Sequence, residues 1–151
     1  MLIKEIMTKS VITVNPNDTF LKVIKILVKN KISGVVVLGR GKKVLSVVSE
    51  KDLFYMLFPD QKKFYKDIEF YINYKNIEGD VKRLVNKKVK SFMRKRVYTI
   101  NPDDHVLKAC AMFLVHNIRR LPVVENGRLV GIVTTNDIYR NYLNRLISKT
   151  R

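Results

Sequence analysis

The chain is written twice. Setting Met7 against Met93 aligns IMTKSVITVNPNDTF with FMRKRVYTINPDDHV at an offset of 86 residues. Val11 then pairs with Val97, Thr13 with Thr99, Asn15 with Asn101, Pro16 with Pro102 and Asp18 with Asp104. The register continues through NKISGVVVL and HNIRRLPVV. One extra residue in the turn GRGKK lowers the offset to 85, after which SVVSEKDL matches GIVTTNDI. A glycine-rich hairpin turn is where a sheet tolerates such a length change. A duplication in register means one supersecondary unit built twice. A unit of roughly 50 residues is too small to bury its apolar face well alone, so two copies must pack together.

Each copy reads as β-α-β-β-α. The strands VITV and VYTI end at Asn-Pro, a turn signal that also stops a strand. Asp18 and Asp104 are placed to cap the helix that follows. In the first such helix Phe20, Ile24, Leu27 and Val28 share a face, and in the second Val106, Cys110, Phe113 and Leu114 do so. Two apolar runs joined by a tight turn follow in each copy, GVVVL with VLSVV and RLPVV with LVGIV, and read as hairpins. A last helix begins at Asp52 or Asp137. The expected fold class is α/β (α+β), two repeats packed sheet to sheet as a pseudo-twofold pair. The expected boundaries are 1–58 for repeat 1, 59–88 for a helical, aromatic-rich insert and 89–151 for repeat 2 with a C-terminal helix. Residues 54–88 hold 8 of the 14 aromatic residues. Within them, FPDQKKFYKDIEFYI predicts a helix from Pro59–Asp60, and DVKRLVNKKVKSFM predicts another. The insert reads as a connector packed over the module or as a partner surface.

Composition narrows the function classes. The chain has 151 residues, 46% of them hydrophobic. No apolar run approaches the ~18–20 residues of a membrane span, and MLIKEIMTK lacks the features of a signal peptide. The single cysteine, Cys110, forms no internal disulfide, and a cytoplasmic protein is expected. Cys110 lies among apolar residues and reads as a buried, inert thiol. Net charge is +17, spread along the chain, with the densest patch at Asn86–Arg96. Such a charge reads as a solvated lysine-rich surface, as attraction for phosphate ligands or as a nucleic-acid surface. No phosphate loop and no dinucleotide fingerprint occurs. His105 and His116 lack metal-ligand spacing. Neither catalysis nor a metal is expected, and no catalytic cofactor.

Taken together, IMTKSVITVNPNDT, HNIRRLPVVENGRLVGIVTTNDI and the duplication itself resemble a CBS-domain pair, or Bateman module. The resemblance covers both repeats and leaves out residues 54–88. It implies a stand-alone regulatory module that binds an adenosyl ligand (AMP, ADP, ATP or S-adenosylmethionine) in clefts between the repeats. It also implies a homodimer.

The resemblance singles out Thr134 and Asp137, three residues apart where a strand meets a helix. A carboxylate accepts hydrogen bonds from the two vicinal hydroxyls of a ribose, and a threonine hydroxyl serves a phosphate oxygen or the same sugar edge. Ser49 and Asp52 fill the same slots in repeat 1. Both pairs are equally readable as helix caps. Arg119 and Arg120, before LPVV, suit a ligand's phosphates, where repeat 1 has Ser33 and Gly34. Repeat 1 also has Val36 for Pro122 and Ser46 for Gly131. Glycine permits close approach of backbone and ligand, so Ser46 is expected to crowd its site. The two sites are therefore expected to be unequal, one competent for phosphate-bearing ligands and one weak. Thr13 and Thr99, near their strand ends, are secondary candidates and are equally readable as structural threonines. The expected function is sensing of an adenosyl effector by population shift, signalled to an unknown partner protein. The alternatives are nucleic-acid binding and a structural dimerisation module with vestigial sites. No membrane association is expected.

Overall fold

Each Asn-Pro step closes a small loop before its helix. Asp18 Oδ2 accepts from Asn15 N at 2.9 Å, and Asp104 Oδ2 accepts from Asn101 N at 3.0 Å. Asn15 Oδ1 accepts from Asn17 N, and Asn101 Oδ1 from Asp103 N. The caps expected at Asp18 and Asp104 fall one residue later. Thr19 Oγ1 accepts from Lys22 N, and His105 Nδ1 accepts from Leu107 N. The carboxylates are already committed to the loop and to a lysine one helical turn on, Lys22 at 2.7 Å and Lys108 at 2.8 Å.

The computed structural model describes residues 1–57 and 74–150. In chain order its elements are α1 (Ile3–Ile6), β1 (Thr13–Val14), α2 (Phe20–Asn30), β2 (Gly34–Leu38), β3 (Val44–Ser49), α3 (Glu50–Leu57) and α4 (Tyr74–Leu84). Then come α5 (Val106–His116), β4 (Arg120–Glu125), β5 (Arg128–Thr134), α6 (Thr135–Asp137), a π-helical turn (Ile138–Leu143) and α7 (Asn144–Lys149). These are two β-α-β-β-α repeats with helical structure between them. β1, β2 and β3 form one sheet in that order, with β1 parallel to β2 in the register Thr13↔Val36 and Val14↔Val37. β4 and β5 form an antiparallel hairpin. The leading strand of repeat 2 shrinks to a bridge between Ile100 and Val123. Pro102, which has no N–H for a ladder, stands two residues beyond.

The duplication extends to backbone detail. α2 ends at Lys31 and α5 at Asn117, both left-handed, with φ of 52° and 50°. The two hairpin turns differ as the offset change requires. Asn126 and Gly127, both at positive φ, make a two-residue turn, and repeat 1 uses a longer 3-10 turn at Arg40–Lys42.

The helix faces differ from expectation. The buried stripes are Phe20, Val23 and Leu27 in α2 and Val106, Ala109 and Phe113 in α5. Val28 is 72% exposed and Leu114 is 83% exposed. Both helices are apolar well beyond one stripe, so periodicity alone chose the wrong edge. The insert helix expected from Pro59–Asp60 lies outside the described residues. The second insert helix starts earlier than expected, at Tyr74, and stops at Leu84. A separate 3-10 turn follows at Val89–Ser91.

The chain forms two compact units that interleave in sequence. One holds Met1–Ile12, Leu38–Leu45 and Arg96–Arg151, and the other holds Thr13–Val37 and Ser46–Lys95. Each unit therefore takes its lead segment from in front of the other repeat. In the first unit, Ile3 N donates to Asp104 O and Lys4 N to Pro102 O, both at 2.9 Å. Ile3, fully buried, and Ile6 join a core with Val106, Phe113, Leu121, Val123, Val133 and Ile138. In the second unit, Val89 N donates to Asp18 O and Lys90 N to Pro16 O, again at 2.9 Å. Val89 is fully buried there, and Phe92 meets the Phe20 ring edge-on, with centroids 6.0 Å apart.

Truncating a fully buried aliphatic side chain costs ~2–5 kcal/mol. Ile3→Ala should lower the unfolding free energy by that amount, read as a lower urea midpoint, and an unchanged midpoint would detach the lead segment from the core. The hydrogen bond from Lys108 holds the Asp104 carboxyl below its ordinary value of 3.8, against the opposing effect of burial. A carboxyl depressed on folding stabilises above its unfolded value, and that contribution is lost as pH falls through the folded value. Asp104→Asn should therefore flatten the loss of stability on acidification below about pH 4, as read from melting curves against pH.

Candidate functional site

The expected Thr/Ser-x-x-Asp pairs form at the hairpin-to-helix junctions. In the unit holding repeat 2, Thr134 N and Thr134 Oγ1 both donate to Asp137 Oδ2 at 2.7 Å, and Asp137 N donates back to Thr134 Oγ1 at 3.3 Å. This is a reciprocal capping box. In the other unit, Ser49 N and Ser49 Oγ donate to Asp52 Oδ2 at 2.8 and 2.9 Å, and Asp52 N donates to Ser49 Oγ at 3.3 Å. Capping thus consumes one carboxylate oxygen in each copy and leaves the other.

The remaining oxygen is where the copies part. Among the described residues nothing bonds Asp137 Oδ1. Asp52 Oδ1 receives Arg94, from Nε at 2.9 Å and from Nη2 at 2.7 Å. Asp52 is only 14% exposed, and Arg94 is 53% exposed. Sequence reasoning placed Arg94 in a basic patch and missed this role. The signal was present in the repeat: FMRKR places Arg94 where IMTKS has Thr8.

The remaining candidates fall on both units. Arg120 stands opposite Thr134 in the β4–β5 ladder, and the carbonyl of Arg119 accepts from Thr135 N at 3.0 Å. These four residues, Arg119, Arg120, Thr134 and Asp137, meet at one end of the hairpin. Arg119 is exposed. Thr99 is exposed in the same unit, and Thr13 lies in β1 of the other, paired with Val36. The repeat 1 counterpart of the Arg119 contact is Glu50 N donating to Ser33 O at 3.0 Å.

Gly131 and Ser46 each meet a lead segment. A Cβ at Gly131 would lie 2.6 Å from Met7 Sδ and 3.1 Å from Thr8 O. The glycine admits the lead segment, and Thr8 and Ile132 exchange two backbone hydrogen bonds of 2.9 Å beside it. Ser46 is fully buried, and its Oγ donates to Arg94 O at 2.8 Å. It ties down the lead segment of its own unit.

Elsewhere the chemistry is quiet. Cys110 is half-buried, and burial pushes its thiol up, which keeps it protonated. Among the described residues no group of three His, Cys, Asp or Glu side chains is placed to hold a metal ion. No described helix is long and apolar enough to cross a membrane.

The described chain holds a pair of α/β repeats, each with a hydroxyl–carboxylate box where its hairpin meets a helix. The family model of the CBS domain matches residues 3–58 and again 89–144. The chain belongs to the CBS-domain family and is a CBS pair, a ligand-sensing and regulatory module. It is 31% identical over 150 residues to protein MJ1426 of Methanocaldococcus jannaschii, across 91% of this chain and 89% of that one. The crystal structure of the CBS domain pair of protein MJ0100, in complex with 5′-methylthioadenosine and S-adenosyl-L-methionine, superposes with a TM-score of 0.74. It is 25% identical and covers 96% of this chain and 98% of that one. The structure of CBSX2 in complex with AMP gives a TM-score of 0.73 at 22% identity, across 96% and 98% of the two chains, a likeness of fold.

Overpacking a tight contact typically costs ~1–3 kcal/mol. Gly131→Ala should destabilise the fold within that range, because the Met7 side chain must move aside and the Thr8 carbonyl must give by a few tenths of an ångström. A chemical denaturation curve that superimposes on the parent's would mean that the lead segment yields freely.

Proposed function

We propose that the chain senses an adenosyl ligand, with the ribose diol bonded to Asp137 and a phosphate or sugar edge to Thr134. The observation that carries this reading is the Oδ1 of Asp137, unpartnered among the described residues, on a carboxylate whose other oxygen is locked by two hydrogen bonds from Thr134. An acceptor held rigid and left open is preorganised for a pair of hydroxyl donors. Arg119 and Arg120, at the same hairpin end, supply guanidinium groups for a ligand's phosphates. The adenosyl ligands bound by the MJ0100 pair support the ligand class. Binding biases the packing of the module and is signalled to a separate partner protein.

Titration calorimetry against AMP, ADP, ATP, S-adenosylmethionine and 5′-methylthioadenosine tests this. At least one should bind and raise the melting temperature by mass action. Asp137→Ala should weaken that binding by ~1–3 kcal/mol, the range for a hydrogen bond to a charged group. No heat and no melting shift at millimolar ligand would end the adenosyl reading.

The module also pairs with a second copy of itself. Exposed apolar residues recur at matching positions of the two repeats, Val28 with Leu114 and Phe54 with Tyr139, and a duplicated apolar face suits a symmetric partner. Sedimentation should report a dimer, shifted towards monomer by Leu114→Lys. A second reading, nucleic-acid binding, draws on the exposed Lys87, Lys88, Lys90, Lys95 and Arg96. It requires oligonucleotide affinity that falls steeply with salt.

A further inference from the structure

The two copies share a capping box and differ in one charged neighbour. Arg94 directs Nε and Nη2 at the one oxygen of Asp52 that capping leaves open. At the matching position the other copy has Thr8, which carries no charge. The backbone around Arg94 is held by the bond from Ser46 Oγ to its carbonyl and by the Phe92–Phe20 ring contact. Its side chain is 53% exposed, so the guanidinium can leave while the backbone stays.

We propose that Arg94 sets the ligand class of the first copy: it withholds Asp52 from ribose ligands that lack a phosphate and yields to those that carry one. The inference rests on the adenosyl reading above. A ribose diol can reach Asp52 Oδ1 only if the guanidinium withdraws. Asp52 is mostly shielded from water, so withdrawal strips the carboxylate of its charge partner, and two neutral hydroxyls replace that partner poorly. A nucleoside or thioether ligand gives Arg94 nothing in return. A phosphate gives it a second anion of matching fork geometry, so one charge-assisted pair is exchanged for another. Ser46 adds to this by fixing where the arm begins. Among the described residues the second copy has no such guard, and its Asp137 Oδ1 meets the ribose directly. One chain would thus read the same sugar through two filters, one indifferent to phosphate and one demanding it.

Titration calorimetry with AMP and 5′-methylthioadenosine on the full chain tests the proposal. In an Asp137→Ala background only the first copy reports. There AMP should bind at least about tenfold more tightly than methylthioadenosine, the scale of one charge-assisted contact. Adding Arg94→Gln should erase most of that preference, chiefly by tightening methylthioadenosine. Equal affinities before the change, or an unaltered ratio after it, overturn the guard. A melting curve first establishes that each variant is folded. Should Asp137→Ala fail to fold, Arg94→Gln alone should raise the methylthioadenosine stoichiometry from one to two per chain, and a stoichiometry that stays at one overturns the proposal. If the parent chain binds neither ligand, the adenosyl reading falls and the guard with it. If it binds methylthioadenosine once and Arg94→Gln changes nothing, only the guard is lost. A purely structural ion pair would change stability and leave the preference between ligands where it was.

Discussion

Two matched pairs of backbone hydrogen bonds clasp the lead segments to the Asn-Pro loops. Ile3 and Lys4 donate to Asp104 and Pro102, and Val89 and Lys90 donate to Asp18 and Pro16. They use carbonyls of the Asn-Pro loops, which proline and the folded-back aspartate hold in shape. Once residue 3 or 89 is clasped there, the next residues must run past the final strand of the hairpin. Position 7–8 arrives against Gly131, and position 94 arrives against Ser46. There Arg94 pairs with the Asp52 carboxylate. The apolar cores depend on the same clasp, because it places Ile3 and Val89 where they are fully buried.

The capping and ligand readings of the Thr/Ser-x-x-Asp pairs prove compatible. A carboxylate has two oxygens, and the box needs one. Capping fixes the rotamer of Asp137 and aims its second oxygen, so the structural role leaves room for the proposed binding role. In repeat 1 the same preparation presents an oxygen to a guanidinium of the chain itself. The sites are expected from sequence to be unequal through Ser46 and the arginines of repeat 2; in the structure the two Asp carboxylates also differ by Arg94.

Much of this was legible in the sequence because the duplication supplied an internal control. The offset change located the hairpin turn, and SVVSEKDL against GIVTTNDI located both boxes. Three things were not legible. The true face of α2 and α5 was hidden because Ile24, Val28 and Leu114 are as apolar as the residues that are buried. The cap shifted from Asp18 and Asp104 because both were already bound to their Asn-Pro loops and to Lys22 and Lys108. The choice of partner for each lead segment was hidden because LIKEIMTK and KVKSFMRK offer similar apolar spacing to either repeat. Only tertiary structure decides between them. Arg94 was missed for the same reason, since its partner Asp52 lies in the other half of the linear sequence.

The interleaved units also have an order of assembly imposed by the ribosome. Residues 13–95 contain everything that one unit needs, and they emerge before Arg96 exists. That unit can close while synthesis continues. Residues 1–12, made before that unit, belong with residues 96–151, made after it. Ile3 and Ile6 therefore wait, apolar and without a core, until Ile138 has been added. Of the two lead segments, the one made first is the last to be buried.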